Sequence, residues 1–149
     1  MVGKGSTIRE EMQLNSAEKN RVIISVGSNI DPEINVKNAA ELISVDHDLL
    51  FQSEFAFTKP VGFQEQDDFL NGAFLVETAL NQEEFNRYLK SVENQLGRVK
   101  TEIKSGPRTI DLDIIIWNGS IVHSDYKKRD YVRRFVDQVL KKYSIEISG

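Results

Sequence analysis

The segment Ile110–Trp117 constrains this chain most: it alternates apolar and acidic residues as Ile-Asp-Leu-Asp-Ile, then continues as Ile-Ile-Trp. Successive side chains of a strand point to opposite faces, so Asp111 and Asp113 share one face, about 6–7 Å apart at their Cα atoms, while Leu112, Ile114 and Ile116 bury the other. Two carboxylates so placed repel each other and lose hydration, and a strand bearing them usually offers a cation, either a metal or an arginine. Two readings are open. Oxygen ligands with no histidine or cysteine nearby suit magnesium, which takes one or two carboxylates and completes its shell with phosphate and water. The other reading is a solvated edge strand carrying an Asp–Arg pair. Arg108, placed just before the strand in Gly106-Pro107-Arg108-Thr109, favours the first, because its planar fork suits phosphate oxygens.

The rest of the pattern sets the architecture. Residues 1–20 are polar, contain Gly3, Gly5 and Ser6, and lack periodicity, so a flexible leader is expected before one domain over residues 21–149. Arg21–Val26 reads as a buried strand, followed by a helix that Asp31 caps and Pro32 opens, with Val36, Ala39, Ala40 and Ile43 inward. Leu49, Phe51, Phe55 and Phe57 suggest one strand with a buried aromatic face, and Gly72–Thr78 another. Asn81 and Glu84 form a capping box for a helix that buries Phe85, Tyr88, Leu89, Val92 and Leu96 and closes at Gly97. Asn118-Gly119 is a tight turn returning through Ile121-Val122, and a last helix covers Asp130–Lys142. Strand, helix, strand, strand, helix, strand is the order of an α+β, ferredoxin-like split βαβ sandwich with an added C-terminal helix.

Composition removes several classes of chemistry. The chain has no cysteine, which excludes thiol nucleophiles, thiolate zinc sites and disulfides. No apolar run reaches the roughly 20 residues that span a bilayer, so a cytoplasmic protein with no membrane partner is expected. Residues 127–149 hold 7 basic and 3 acidic groups and the rest 12 and 20, an acidic remainder that disfavours nucleic acid. Lys127, Lys128, Arg129, Arg133 and Arg134 read by themselves as a solvated helix face.

The string Gly106-Pro107-Arg108-Thr109-Ile110-Asp111-Leu112-Asp113 resembles the signature of hydroxymethyldihydropterin pyrophosphokinases. Val26-Gly27-Ser28-Asn29, Pro60-Val61-Gly62, Phe69-Leu70-Asn71, Glu93 with Gly97-Arg98-Val99, and Arg133-Arg134-Phe135 extend the likeness in order over about Val22 to Leu140. The resemblance implies transfer of a pyrophosphoryl group from ATP to the hydroxymethyl oxygen of a reduced pterin, releasing AMP, in folate synthesis; a monomer is expected. It implies that Asp111 and Asp113 hold Mg2+ and act in catalysis with Arg98 and Arg108. ATP would meet Glu93, Arg98, Arg108 and Arg133. The pterin would meet Thr58, Val61, Phe69, Asn71 and Phe135, although Phe69 and Phe135 read as core until their motif position is considered. Ser105 stands where the family has an aromatic, Lys59 where it has a proline, and Val122 to Arg133 is short and lacks its Pro-His step. The alternative is therefore a non-catalytic pterin- or nucleotide-binding relative. His47 and His123 are expected at the surface, without a role.

Overall fold

The computed structural model describes residues 19–62, 65–97 and 109–149. A six-stranded sheet is organised around β1 (Asn20–Ser28), which pairs antiparallel with β4 (Phe69–Thr78) on one side and β5 (Asp111–Trp117) on the other. β2 (Asp48–Gln52) and β3 (Ala56–Thr58) both pair with β4, and β6 (Ser120–Ile121) pairs with the end of β5. α1 (Pro32–Asp46) and α2 (Gln82–Gln95) pack on one face. On the other lies α4 (Asp130–Lys142), preceded by the single-turn α3 (Asp125–Lys128). This is the expected ferredoxin-like α+β arrangement with helices on both sides. β1 starts at Asn20, and Lys19 before it pairs with Asp48 at 2.7 Å.

Period 2 in β1 sends Val22, Ile24 and Val26 toward α1 and α2, and Ile23 toward α4. The capping box is present: the Asn81 side chain accepts the Glu84 N–H at 2.8 Å, and the Asn81 N–H donates to Glu84 Oε1 at 2.9 Å. Gly97 follows the last turn of α2 at φ +87°, a left-handed position that glycine takes without strain. The turn at Asn118 and Gly119, at φ 47° and 84°, closes the β5–β6 hairpin.

Three local expectations fail. Asp31 is not a side-chain cap; it sits in the left-handed region at φ 42°, and Asn35 Nδ2 instead donates to the Ile30 carbonyl at 2.6 Å. The register of β1 against β5 shifts between Ile23 and Ile24, and this irregularity puts both Ile115 and Ile116 on the α4 side, so Ile116 does not join Leu112 and Ile114.

The third concerns Leu49–Phe57, which is two strands rather than one. At the break, buried Ser53 donates its N–H to the Ala73 carbonyl and accepts the Ala73 N–H on its Oγ, both at 2.8 Å. The hydroxyl thus stands in for a main-chain carbonyl. Beyond it Phe51 packs toward α4, Phe55 lies over Gly72 on the opposite face, and Phe57 is 54% exposed rather than core. A Cβ at Gly72 would meet the Phe55 ring at 2.5 Å, which explains a glycine inside a buried strand. Ser53→Ala leaves the Ala73 N–H without its acceptor and should lower stability by about 1–3 kcal/mol, read as a shifted urea midpoint at unchanged slope.

Candidate active site

Two rows of side chains cross the sheet on its α4 face. Asp113 lies opposite Ser25, and Ser25 opposite Ala73; Asp111 lies opposite Gly27, Gly27 opposite Asn71, and Asn71 opposite Ala56. These strands floor a cleft. Tyr131, Val132 and Phe135 of α4 line its roof together with Asp125 of α3, and Thr58, Lys59 and Val61 line the β3 side.

Asn71 is buried, and its Nδ2 donates to the Thr58 hydroxyl, which fixes the carboxamide against β3. Gly27 makes room for it, since a Cβ there would stand 2.7 Å from Asn71 Oδ1. Asn29, also buried, donates from Nδ2 to Gln66 Oε1 at 2.8 Å and to the Asp67 carbonyl at 3.0 Å, so the turn after β1 is tied to the segment before β4.

Electrostatics single out the carboxylates. Burial, followed by repulsion from Asp111, pushes the Asp113 carboxyl up to about 6, while the charges of Lys90 and His123 act the other way. Burial, followed by the Asp125 charge, raises the Tyr131 phenol above its ordinary value. Among the described residues the cleft lining has three carboxylates, those of Asp111, Asp113 and Asp125, against the single ammonium of Lys59. No group of three or more histidine, cysteine or acidic side chains able to hold a metal occurs among the described residues. A pair of carboxylates on one strand still fits a hard divalent ion whose other ligands are phosphate and water.

The predicted residues divide. Thr58, Val61, Phe69, Asn71, Asp111, Asp113 and Phe135 all line the cleft. Phe135 is 1% exposed and belongs to the core, so it shapes the wall; Phe69 and Tyr131 are the partly exposed rings. Glu93 is 2% exposed and accepts the Leu112 N–H on Oε2 at 2.7 Å, which supports β5 from its edge. Arg133 is not in the lining; it donates to the Tyr126 and Lys127 carbonyls, each at 3.2 Å, and pairs with Asp130. Its guanidinium therefore ties α3 to α4. Arg98, Arg108 and Ser105 lie outside the described residues.

Sequence reasoning passed over four residues. Tyr131 and Asp125 line the cleft, and Lys90 Nζ lies 4.0 Å from Asp113 Oδ1. His123, expected at the surface, is partly buried and accepts the Asp125 N–H on Nδ1 at 3.0 Å, and its charge favours the ionised form of Asp113. The only sequence signal for this group was an acidic residue two positions after a histidine, in a stretch just past a hairpin. His47 is likewise partly buried, with its ring edge-on to Phe85 and Tyr88.

The cleft thus gathers a carboxylate pair opposite Gly27 and Ser25, an anchored carboxamide and two partly exposed rings. Residues 23–141 match the family described as 7,8-dihydro-6-hydroxymethylpterin-pyrophosphokinase, and the chain belongs to that family. It is 36% identical over 124 residues to the 2-amino-4-hydroxy-6-hydroxymethyldihydropteridine pyrophosphokinase of Bacillus subtilis, covering 78% of this chain and 74% of that one. The enzyme of the same name from Haemophilus influenzae is 32% identical over 73% of this chain and 74% of its own length. A folic acid synthesis protein of Dictyostelium discoideum is 34% identical over 74% of this chain, which spans 17% of that longer protein. The chain likewise spans 18% of the folic acid synthesis protein of Pneumocystis carinii. No helix among the described residues is long and apolar enough to cross a membrane.

The raised Asp113 carboxyl has a consequence for stability. Its folded value of about 6 lies above its ordinary 3.8, so its proton favours folding at low pH and that contribution is lost as pH rises through this window. In the metal-free protein Asp113→Asn should therefore raise stability at about pH 7.5 by about 1–2 kcal/mol, with the gain vanishing below about pH 4 in thermal unfolding scans.

Proposed function

We propose that this chain transfers the pyrophosphoryl group of ATP to 6-hydroxymethyl-7,8-dihydropterin, giving the pterin diphosphate and AMP. The observation that carries the reading is the Asp111–Asp113 pair, set in one row with Gly27 and Asn71 and in the next with Ser25, on the floor of a cleft lined by carboxylates. Mg2+ held there would neutralise the polyphosphate and align the β-phosphorus. The pterin hydroxymethyl oxygen forms the new bond to that phosphorus, the bond to the α-phosphate oxygen breaks, AMP leaves, and the hydroxyl proton is lost to solvent.

The other residues orient the two substrates. The Asn71 carboxamide, fixed through Thr58, offers a donor and an acceptor to the edge of the heterocycle. Phe69 and Tyr131 supply the ring faces, and Phe135 backs the wall. Lys59 brings a positive charge to the rim of the cleft. Arg98 and Arg108 would offset phosphate charge, and no covalent intermediate on the protein is needed.

Product analysis with ATP, Mg2+ and hydroxymethyldihydropterin tests this. Asp113→Asn should lower kcat about 100-fold or more, because the metal contributes several kcal/mol to the transition state. Absence of AMP and pterin diphosphate from the unaltered protein at every Mg2+ concentration would refute the assignment. Gly27→Ala, which pushes on Asn71 Oδ1, should raise the pterin KM about tenfold, with less effect on the ATP KM.

A further inference from the structure

Among the described residues, β5 is bordered over Asp111–Asp113 by a helix rather than by a strand. β6 pairs with Ile116 and Trp117, the Val122 N–H beyond it donates to the Ile115 carbonyl at 2.9 Å, and α2 meets the strand at Leu112 and Asp113. Lys90 and Glu93 are one turn apart on α2 and lie together over this edge. Glu93 turns inward to the Leu112 N–H, whereas Lys90, with its side chain 44% exposed, reaches past the edge. Its Nζ stands 3.5 Å from Glu93 Oε1 and 4.0 Å from Asp113 Oδ1. One ammonium thus bridges a structural carboxylate and a carboxylate of the cleft. At these separations both contacts are ion pairs without short hydrogen bonds, and a four-carbon stem lets the ammonium leave one partner while staying near the other.

We propose that Lys90 is a tethered counter-ion that occupies the Asp113 side of the carboxylate pair in the nucleotide-free protein and competes there with a divalent cation, so that the metal is taken up with the polyphosphate rather than before it. The proposal rests on the reading of Asp111 and Asp113 as metal ligands. A carboxylate beside an ammonium is a weaker ligand for a second cation, since the two positive charges repel across a partly desolvated cleft. A polyphosphate reverses that balance. It brings several negative charges and oxygen ligands of its own, and the displaced ammonium can pair with Glu93 or with a phosphate oxygen. Lys90 then acts as a positioning residue, setting which form of the metal the site accepts.

The test is binding of Mn2+, as a paramagnetic stand-in for Mg2+, measured by the loss of free-ion EPR signal without nucleotide. Lys90→Gln removes the charge at similar length and should bind Mn2+ about 3- to 10-fold more tightly than the unaltered protein, a range set by a partly exposed pair. Lys90→Arg should remain near the unaltered value, as should Lys127→Gln, whose ammonium donates to the Gly149 carbonyl instead. With a non-hydrolysable ATP analogue the gap between the unaltered protein and Lys90→Gln should shrink. Unchanged or weaker Mn2+ binding by Lys90→Gln, with binding lost in Asp113→Asn, would overturn the role of Lys90 and leave the carboxylate site intact. Equal tightening by Lys127→Gln would also overturn it, by assigning the effect to net charge. Mn2+ bound as tightly by Asp113→Asn as by the unaltered protein, or by no form at all, would overturn both this proposal and the metal-ligand reading beneath it.

Discussion

The pairing of β1 with β4 and β5 at once is the constraint on which the site depends. Asp111, Gly27, Asn71 and Ala56 come from four strands, and only their shared register brings them into one row. A shift of any one strand by a single residue would send its members to the opposite face, into the apolar layer beneath α1 and α2. That layer enforces the register: Val22, Ile24 and Val26 are essentially inaccessible to solvent, as are Leu112 and Phe74. The core on one face of the sheet thus holds the cleft side chains on the other in place.

The site also works against the stability of the fold. Asp113 is held where burial and Asp111 both disfavour its charge, and Asp125 adds a third carboxylate to the lining. Strain of this kind persists where surrounding packing over-determines the geometry. Here the strand carrying the pair is backed by Leu112 and Ile114 and anchored through Glu93. The charge that burial and Asp111 disfavour at Asp113 is thus held in place by the packing of the strand rather than relieved by movement away from it.

Signals that act within a few residues were legible in the sequence. The capping box at Asn81 and Glu84, the left-handed glycine after α2, the Asn118-Gly119 turn and the Asp130–Lys142 helix all follow from local chemistry and occur as read. The alternation in Ile110–Trp117 placed Asp111 and Asp113 on one face, and the structure sets both in the cleft. Features that depend on distant partners were not legible. The break at Ser53 exists because a hydroxyl meets Ala73, and the shift at Ile115 and Ile116 arises in pairing with β1. The ring lining the roof beside Phe135 is Tyr131, a choice made by how α4 rests on the sheet, which no spacing along one helix reveals. Lys90 and His123 approach Asp113 from separate elements, and sequence alone gives no distance between them.

Glu93 has a further consequence beyond anchoring. A strand with an open edge presents main-chain donors and acceptors to any extended segment that comes alongside, and natural proteins guard such edges with charge or with covering structure. Leu112 offers its N–H to Glu93 instead, and Asp111 and Asp113 flank it. A foreign backbone approaching there would have to displace a buried carboxylate and pack against two more. At Leu112 the strand is therefore guarded against edge-to-edge association, while its Asp111 and Asp113 side chains stay on the cleft.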